Sequence, residues 1–166
     1  MNPAADLTIV TTVTSHYVQF LRDWVAGLLA LTIQPARVII LGNGLGPIQR
    51  QACHHHAEQC GAIFTHSDLV GCGVARNLAI GSTATPWVMH LDADDVLLPN
   101  ALLQVAAVSD GPDVIQLGYV HWWPKNRFGY QRKVVYKPLN GLEALSAERI
   151  ASGCSPFRRS LWDQWR

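Results

Sequence analysis

Leu7-Thr8-Ile9-Val10-Thr11-Thr12-Val13 is short and dense in β-branched residues, the pattern of a strand buried in a sheet that is covered on both faces. Val18, Leu21, Trp24, Val25, Leu28, Leu29 and Leu31 then recur at helical spacing, with the polar Gln19, Arg22 and Asp23 between them. Pro35 stops that helix. Arg37-Val38-Ile39-Ile40-Leu41 predicts a second strand running into a turn at Gly42-Asn43-Gly44-Leu45-Gly46-Pro47. A polar helix is expected from Ile48 to Cys60, stopped at Gly61, with a third strand at Ala62-Ile63-Phe64-Thr65. Beyond Gly71-Cys72-Gly73 come a helix over Val74 to Ile80 and a fourth strand, Pro86 to Leu91. The remaining pattern predicts a helix near Pro99 to Val108, a strand over Asp113 to Trp122, another at Lys133 to Tyr136, and a helix from about Gly141 to Ile150.

Strands that alternate with helices specify an α/β fold, with a mostly parallel central sheet and helices on both faces. Ligands of such sheets bind outside the carboxyl ends of the strands. Three chemically suggestive segments fall on that edge: Thr11 to Ser15, Gly42 to Gly46, and Asp92 to Asp95.

The chain has 166 residues and a net charge of +1, which suits one domain and lacks the basic footprint of a nucleic-acid binder. The longest nearly apolar run, Trp24 to Ile33, is ten residues and too short to span a bilayer. No basic region followed by an apolar stretch opens the chain, so the expected location is cytoplasmic. Cys53, Cys60, Cys72 and Cys154 form no CxxC pair and read as reduced thiols.

Leu91-Asp92-Ala93-Asp94-Asp95 crowds three carboxylates onto one turn after an apolar strand, which is costly unless a cation or hydrogen-bond donors compensate. Mg²⁺ and Mn²⁺ prefer oxygen ligands, and Mg²⁺ commonly takes one or two carboxylates plus phosphate oxygens. The turn therefore predicts a metal–diphosphate site; the alternative is that Asp94 or Asp95 caps the following helix. Gly73-Val74-Ala75-Arg76-Asn77-Leu78-Ala79-Ile80 precedes it, followed by Ala84-Thr85-Pro86-Trp87-Val88-Met89-His90-Leu91. This block resembles the signature of the family-2 glycosyltransferases of GT-A fold, in which an Ala-Arg-Asn helix leads into a strand ending in a DxD turn. Ser155-Pro156-Phe157-Arg158-Arg159-Ser160 is similar to a later family segment leading toward the acceptor side.

The resemblance implies a nucleotide-diphosphate sugar as donor, a hydroxyl acceptor, and Mn²⁺ or Mg²⁺ as cofactor. It implies that Asp92 bonds the ribose or diphosphate, that Asp94 holds the metal with Asp95 assisting, and that Arg76 faces the sugar-nucleotide. Thr11 and Thr12 would line the nucleoside pocket, although strand propensity explains them equally. Where the family commonly carries an acidic pair, this chain has Gly42-Asn43-Gly44. Asn43 can bond a base edge, or Asn43-Gly44 can form a tight turn.

Residues 1–98 are thus expected to form the donor-binding half and 99–166 a partial acceptor-side half of a single domain. The resemblance also implies inversion at the sugar carbon and a carboxylate base on the acceptor side. Glu143, Glu148 and Asp163 are the only acids after Asp113, and each reads as a helix-surface charge. The base is therefore expected to be missing, which keeps open a noncatalytic nucleotide-sugar-binding domain or one part of a split enzyme. Trp162 and Trp165 could mark a surface for a second copy or another chain. The aromatic stretch Tyr119 to Pro124 could stack on a sugar ring or pack as a strand. Cys53-His54-His55-His56 invites a zinc reading, but its spacing favours a solvated helix with two partly buried thiols.

Overall fold

The computed structural model describes residues 2–123, 132–136 and 154–165. The elements begin with a short helix α1 (Pro3–Asp6), strand β1 (Leu7–Val13), a 3-10 turn (Val18–Phe20), α2 (Leu21–Leu29) and β2 (Arg37–Asn43). Next are α3 (Pro47–Cys60), β3 (Ile63–Ser67), α4 (Cys72–Gly81), β4 (Trp87–His90) and α5 (Ala101–Ala107). The described elements end with β5 (Tyr119–Trp123), β6 (Arg132–Tyr136), β7 (Phe157–Arg158) and α6 (Arg159–Trp165).

Five strands form one sheet in the order β3-β2-β1-β4-β7, parallel except for β7, which runs antiparallel to β4. The period of two along each buried strand sorts its side chains between two cores. Leu7, Ile9 and Val13 of β1, Val38 and Ile40 of β2, and Trp87 and Met89 of β4 pack with α2, α3 and α5. Val10, Ile39, Leu41 and Val88 face the opposite way, against Ala75, Ala79 and Ile80 of α4. Helices therefore cover both faces, as expected for strands that are apolar throughout. Each fully buried Leu, Ile or Val stabilises by about 1.5–3 kcal/mol, which outweighs the weak propensity of β-branched residues for any one local conformation.

The structure departs from the sequence pattern at the acceptor-side end. Asp113 to Trp122 is not one strand. Its start bonds the edge of the main sheet, with Ile115 N–H donating to Pro156 O and Arg158 N–H to Asp113 O, both at 2.8 Å. Only Tyr119–Trp123 is a regular strand, paired antiparallel with β6 in a separate two-stranded sheet. The helix expected over 141–150, with Glu143 and Glu148, lies outside the described residues, as does Pro124. Among the described residues, no helix is long and apolar enough to cross a membrane.

Candidate functional site

The carboxyl ends of β1 and β4 and the body of α4 meet at one point. Ala93 is buried at the centre of the acidic turn, which fixes its backbone, and Asp95 N–H closes the turn on Asp92 O at 3.0 Å. Asp92 is partly exposed, and Asp94 and Asp95 are exposed. Behind the turn, Thr32 of the α2–β2 connection donates its N–H to Pro99 O at 2.9 Å. Gly27 of α2 lets that helix come so close that a Cβ there would sit 2.6 Å from Val96. The acidic turn is thus mounted on α2 from behind while its carboxylates face outward.

Arg76 projects from α4 toward this turn. Its Nη2 donates to Asp92 Oδ1 at 2.8 Å, and both side chains are 39% exposed. The structure therefore brings together Arg76 and Asp92, sixteen residues apart in the chain. It adds a residue that the sequence pattern did not single out. His90, the last residue of β4, is 4% exposed, with Nδ1 3.4 Å from Asp92 Oδ1 and Nε2 3.4 Å from Thr12 Oγ1. Burial pushes its pKa down to about 4; the Asp92 charge opposes that shift and Arg76 adds to it. The ring is accordingly neutral near pH 7. A lone histidine in an otherwise apolar strand running into an acidic turn was the available signal.

Thr11 and Thr12 part company, because adjacent strand residues point to opposite faces. Thr12 lies opposite Leu41, on the α4 face, within reach of His90. Thr11 lies opposite Ile40 on the α2/α3 face, is wholly buried, and its hydroxyl has no hydrogen-bond partner among the described residues. Asn43 is 3% exposed at the end of β2, and its amide is engaged twice: Nδ2 donates to Val70 O at 3.0 Å, and Oδ1 accepts from Val70 N–H at 2.9 Å. These two bonds use one Nδ2–H and one Oδ1 lone pair, so the nearly buried amide keeps a second N–H beyond its tie to Val70. Gly44 beside it has φ +65° and bonds Ser67 O through its N–H at 3.0 Å, so the turn reading holds for this residue.

The Phe-Arg-Arg segment closes the sheet edge. Arg158 lies over the Trp87 ring, 4.8 Å from its centroid, and its Nε donates to Asp113 Oδ1 at 3.1 Å. Trp162 packs against the α4-side core and donates from Nε1 to Asn77 Oδ1 at 3.1 Å. Asp163, one of the three late acids, sits 3.5 Å from Arg159 along exposed helix surface.

The cysteine and histidine segment forms no metal centre. Among the described residues, no three His, Cys, Asp or Glu side chains converge as metal ligands. Burial raises the Cys53 thiol to about 11 and also raises Cys60, opposing the thiolates that zinc requires. His54 pairs with Glu58, and His55 and His56 each meet Gln59 along the helix. Cys53 is fully buried, and none of the four cysteines is in a disulfide.

These positions match a known sequence family almost end to end: the model for glycosyl transferase family 2 aligns with residues 8–165. The chain belongs to glycosyl transferase family 2. This family-2 chain has the GT-A fold of solved glycosyltransferases. It superposes on residues 1–349 of S. aureus TarS with a TM-score of 0.68 at 13% identity, covering 96% of this chain and 48% of that one. The same TarS segment in complex with UDP-GlcNAc gives 0.69 at 14% identity, covering 96% and 47%. The mannosyltransferase PcManGT from Pyrobaculum calidifontis, in complex with GDP-Man and Mn²⁺, gives 0.67 at 13% identity, covering 96% and 46%. The family-2 chain thus spans about half the length of the TarS segment and of PcManGT. No curated protein matches it by sequence.

The donor set of the acidic turn suits a hard divalent cation. Asp94 and Asp95 offer carboxylate oxygens on the exposed side of a turn whose middle is buried, and no third protein ligand converges there among the described residues. Such a partial set fits Mg²⁺ or Mn²⁺, which fill their coordination with phosphate and water oxygens.

Proposed function

We propose that the carboxyl edge of β1 and β4 binds a nucleotide-diphosphate sugar with Mn²⁺ or Mg²⁺, and that the protein transfers the sugar to an acceptor hydroxyl with inversion. The observation that carries this reading is the half-exposed Arg76–Asp92 pair beside an acidic turn whose Asp94 and Asp95 face solvent. Relatives of the same fold, bound to UDP-GlcNAc and to GDP-Man with Mn²⁺, support it.

In this reading residues 1–98 form the donor-binding half. Asp94 and Asp95 would hold the metal, which when bound would stabilise the charge on the leaving diphosphate. Arg76 presents a planar donor fork to phosphate oxygens, a geometry that suits bidentate contact. Asp92 accepts from the ribose hydroxyls while its charge keeps Arg76 aimed at the edge. Thr12 borders the nucleoside side of the site. Thr11 gives its strand a buried hydroxyl facing the other core and supports the pocket from beneath. Asn43 ties the β2 end to the loop at Val70, and its second Nδ2–H would bond a base edge.

A second reading, donor binding without transfer, draws on one observation. Asp163, the only late acid among the described residues, is held against Arg159 on a helix surface. Calorimetry with UDP, GDP, dTDP and CDP, with and without Mn²⁺, tests the donor site. We expect metal-dependent binding of at least one nucleotide that Asp94→Ala weakens by roughly 10–100-fold or more. Absence of binding, or binding indifferent to Asp94→Ala, overturns the site. Transfer assays with the matching sugar nucleotides then separate the two readings.

A further inference from the structure

We propose that His90 is a positioning residue for the donor: its Nδ1–H holds the Asp92 carboxylate from the sheet side when Arg76 turns from Asp92 to the diphosphate. The inference rests on the donor-binding reading above. Its starting point is a shared atom. Asp92 Oδ1 already accepts from Arg76 Nη2 at 2.8 Å, and the same oxygen lies 3.4 Å from His90 Nδ1, a buried nitrogen that makes no hydrogen bond to any described residue. Arg76 carries one positive charge and faces two claims on it, Asp92 and the incoming phosphates. When the phosphates draw the guanidinium away, a second donor at the same carboxylate oxygen is needed to keep Asp92 from swinging.

The chemistry of the groups fixes how His90 can answer. A carboxylate only accepts, so the nitrogen facing it must carry the proton. A neutral imidazole has one N–H, and burial with a pKa of about 4 keeps this ring neutral. Nε2 is then the lone-pair side and accepts from the Thr12 hydroxyl at 3.4 Å. With Nδ1 protonated, Thr12, His90, Asp92 and Arg76 line up so that donation converges on Asp92 from both ends. A neutral donor also steadies the carboxylate without adding a cation that would compete with Arg76 or with the metal turn. An apolar residue would pack in this strand at lower cost, since a buried polar group left unpaired is unfavourable.

Long-range ¹H–¹⁵N correlation on the labelled protein reads the tautomer without any ligand. We expect the Nδ1–H form; an Nε2–H form overturns the proposal. Titration with UDP, GDP, dTDP and CDP in the presence of Mg²⁺ should then shift the His90 Nδ1 resonance for whichever nucleotide binds. His90→Asn restores a donor near Nδ1, whereas His90→Phe keeps the ring volume without one. By calorimetry His90→Phe should weaken that nucleotide roughly tenfold, and His90→Asn should recover it to within about threefold of wild type. Equal weakening in both variants, or none in either, assigns His90 to packing and overturns the inference while leaving the donor site standing. Failure of the wild type to bind any of the four nucleotides overturns both.

Discussion

The carboxyl edge of the sheet is built in two ways within one molecule. At the β1–β4 end the polar groups are charged and half-open: Arg76 and Asp92 pair with 39% of each side chain in solvent, and Asp94 and Asp95 face outward. At the β2–β3 end two uncharged residues are tied back to the chain, with Asn43 bonded twice to Val70 and Gly44 bonded to Ser67. The first arrangement leaves its charged groups in contact with solvent. The second ties the β2 end to the Val70 loop through the Asn43 amide and holds that loop in place. Both stretches looked polar in the sequence; what separates them is that the Arg76–Asp92 pair stands 39% in solvent while the Asn43 amide is 3% exposed.

That contrast can be broken by experiment. The largest effect is expected from protonation at the open end. An unfolded His90 takes its proton near pH 6.5 and the folded one near pH 4, so between these values the unfolded state binds more protons. The His90 contribution to stability should be flat above pH 6.5, fall as pH drops toward 4, and amount to a loss of up to about 3 kcal/mol. Denaturant titrations across that range check it, and His90→Phe should flatten this contribution to the slope. A slope unchanged by that substitution would show that the open end does not bury a neutral imidazole.

Next in size is Asn43→Ala, which removes two buried hydrogen bonds to Val70. It should cost about 2 kcal/mol of stability. Nucleotide affinity should change less than stability, and an opposite ranking would mean that the base-edge bond outweighs the tie to Val70. Arg76→Ala should give the mirror image, a roughly tenfold loss of nucleotide diphosphate affinity with a melting temperature shifted by no more than a few degrees. Collapse of the fold in that variant would mean that the open pair is structural after all.

Smaller again is Gly44→Ala. The φ of +65° and a Cβ position 2.6 Å from Leu69 Cβ should cost about 1–2 kcal/mol, read as a lower denaturation midpoint with the slope unchanged. The smallest effect is expected for Asp163→Asn. Its exposed pair with Arg159 contributes at most about 0.5 kcal/mol, and transfer activity, where present, should persist. Complete loss of transfer with intact donor binding would instead identify Asp163 as the acceptor-side base.

Much of the fold was legible because its strands are short apolar runs and α2 carries a clear 3.6-residue stripe. β1 spans the residues that the pattern marked, and α3 starts one residue earlier than expected, at Pro47. β7 was not legible: two residues carry no periodicity, and Phe157–Arg158 is a strand only because β4 lies beside it. The expected strand over Asp113 to Trp122 divided for a related reason, since its first residues answer to Pro156 and Arg158 rather than to a regular neighbour. At the site, Arg76 and the acidic turn were visible as a motif. His90 was hidden because one histidine in an apolar strand reads as core, and its meaning depends on Asp92 lying 3.4 Å away.

The sequence alone determined the order of elements, the mostly parallel sheet and the family resemblance, because periodicity and motif spacing are properties of the chain itself. Only the tertiary structure decided which polar residues stand open at the sheet edge and which are buried or tied to the backbone. Thr11 and Thr12 are neighbours in sequence but lie on opposite faces of β1, and Asn43 finds its partner twenty-seven residues later. Such outcomes depend on which backbone groups the packed layers bring within hydrogen-bonding distance, and no local pattern records that distance.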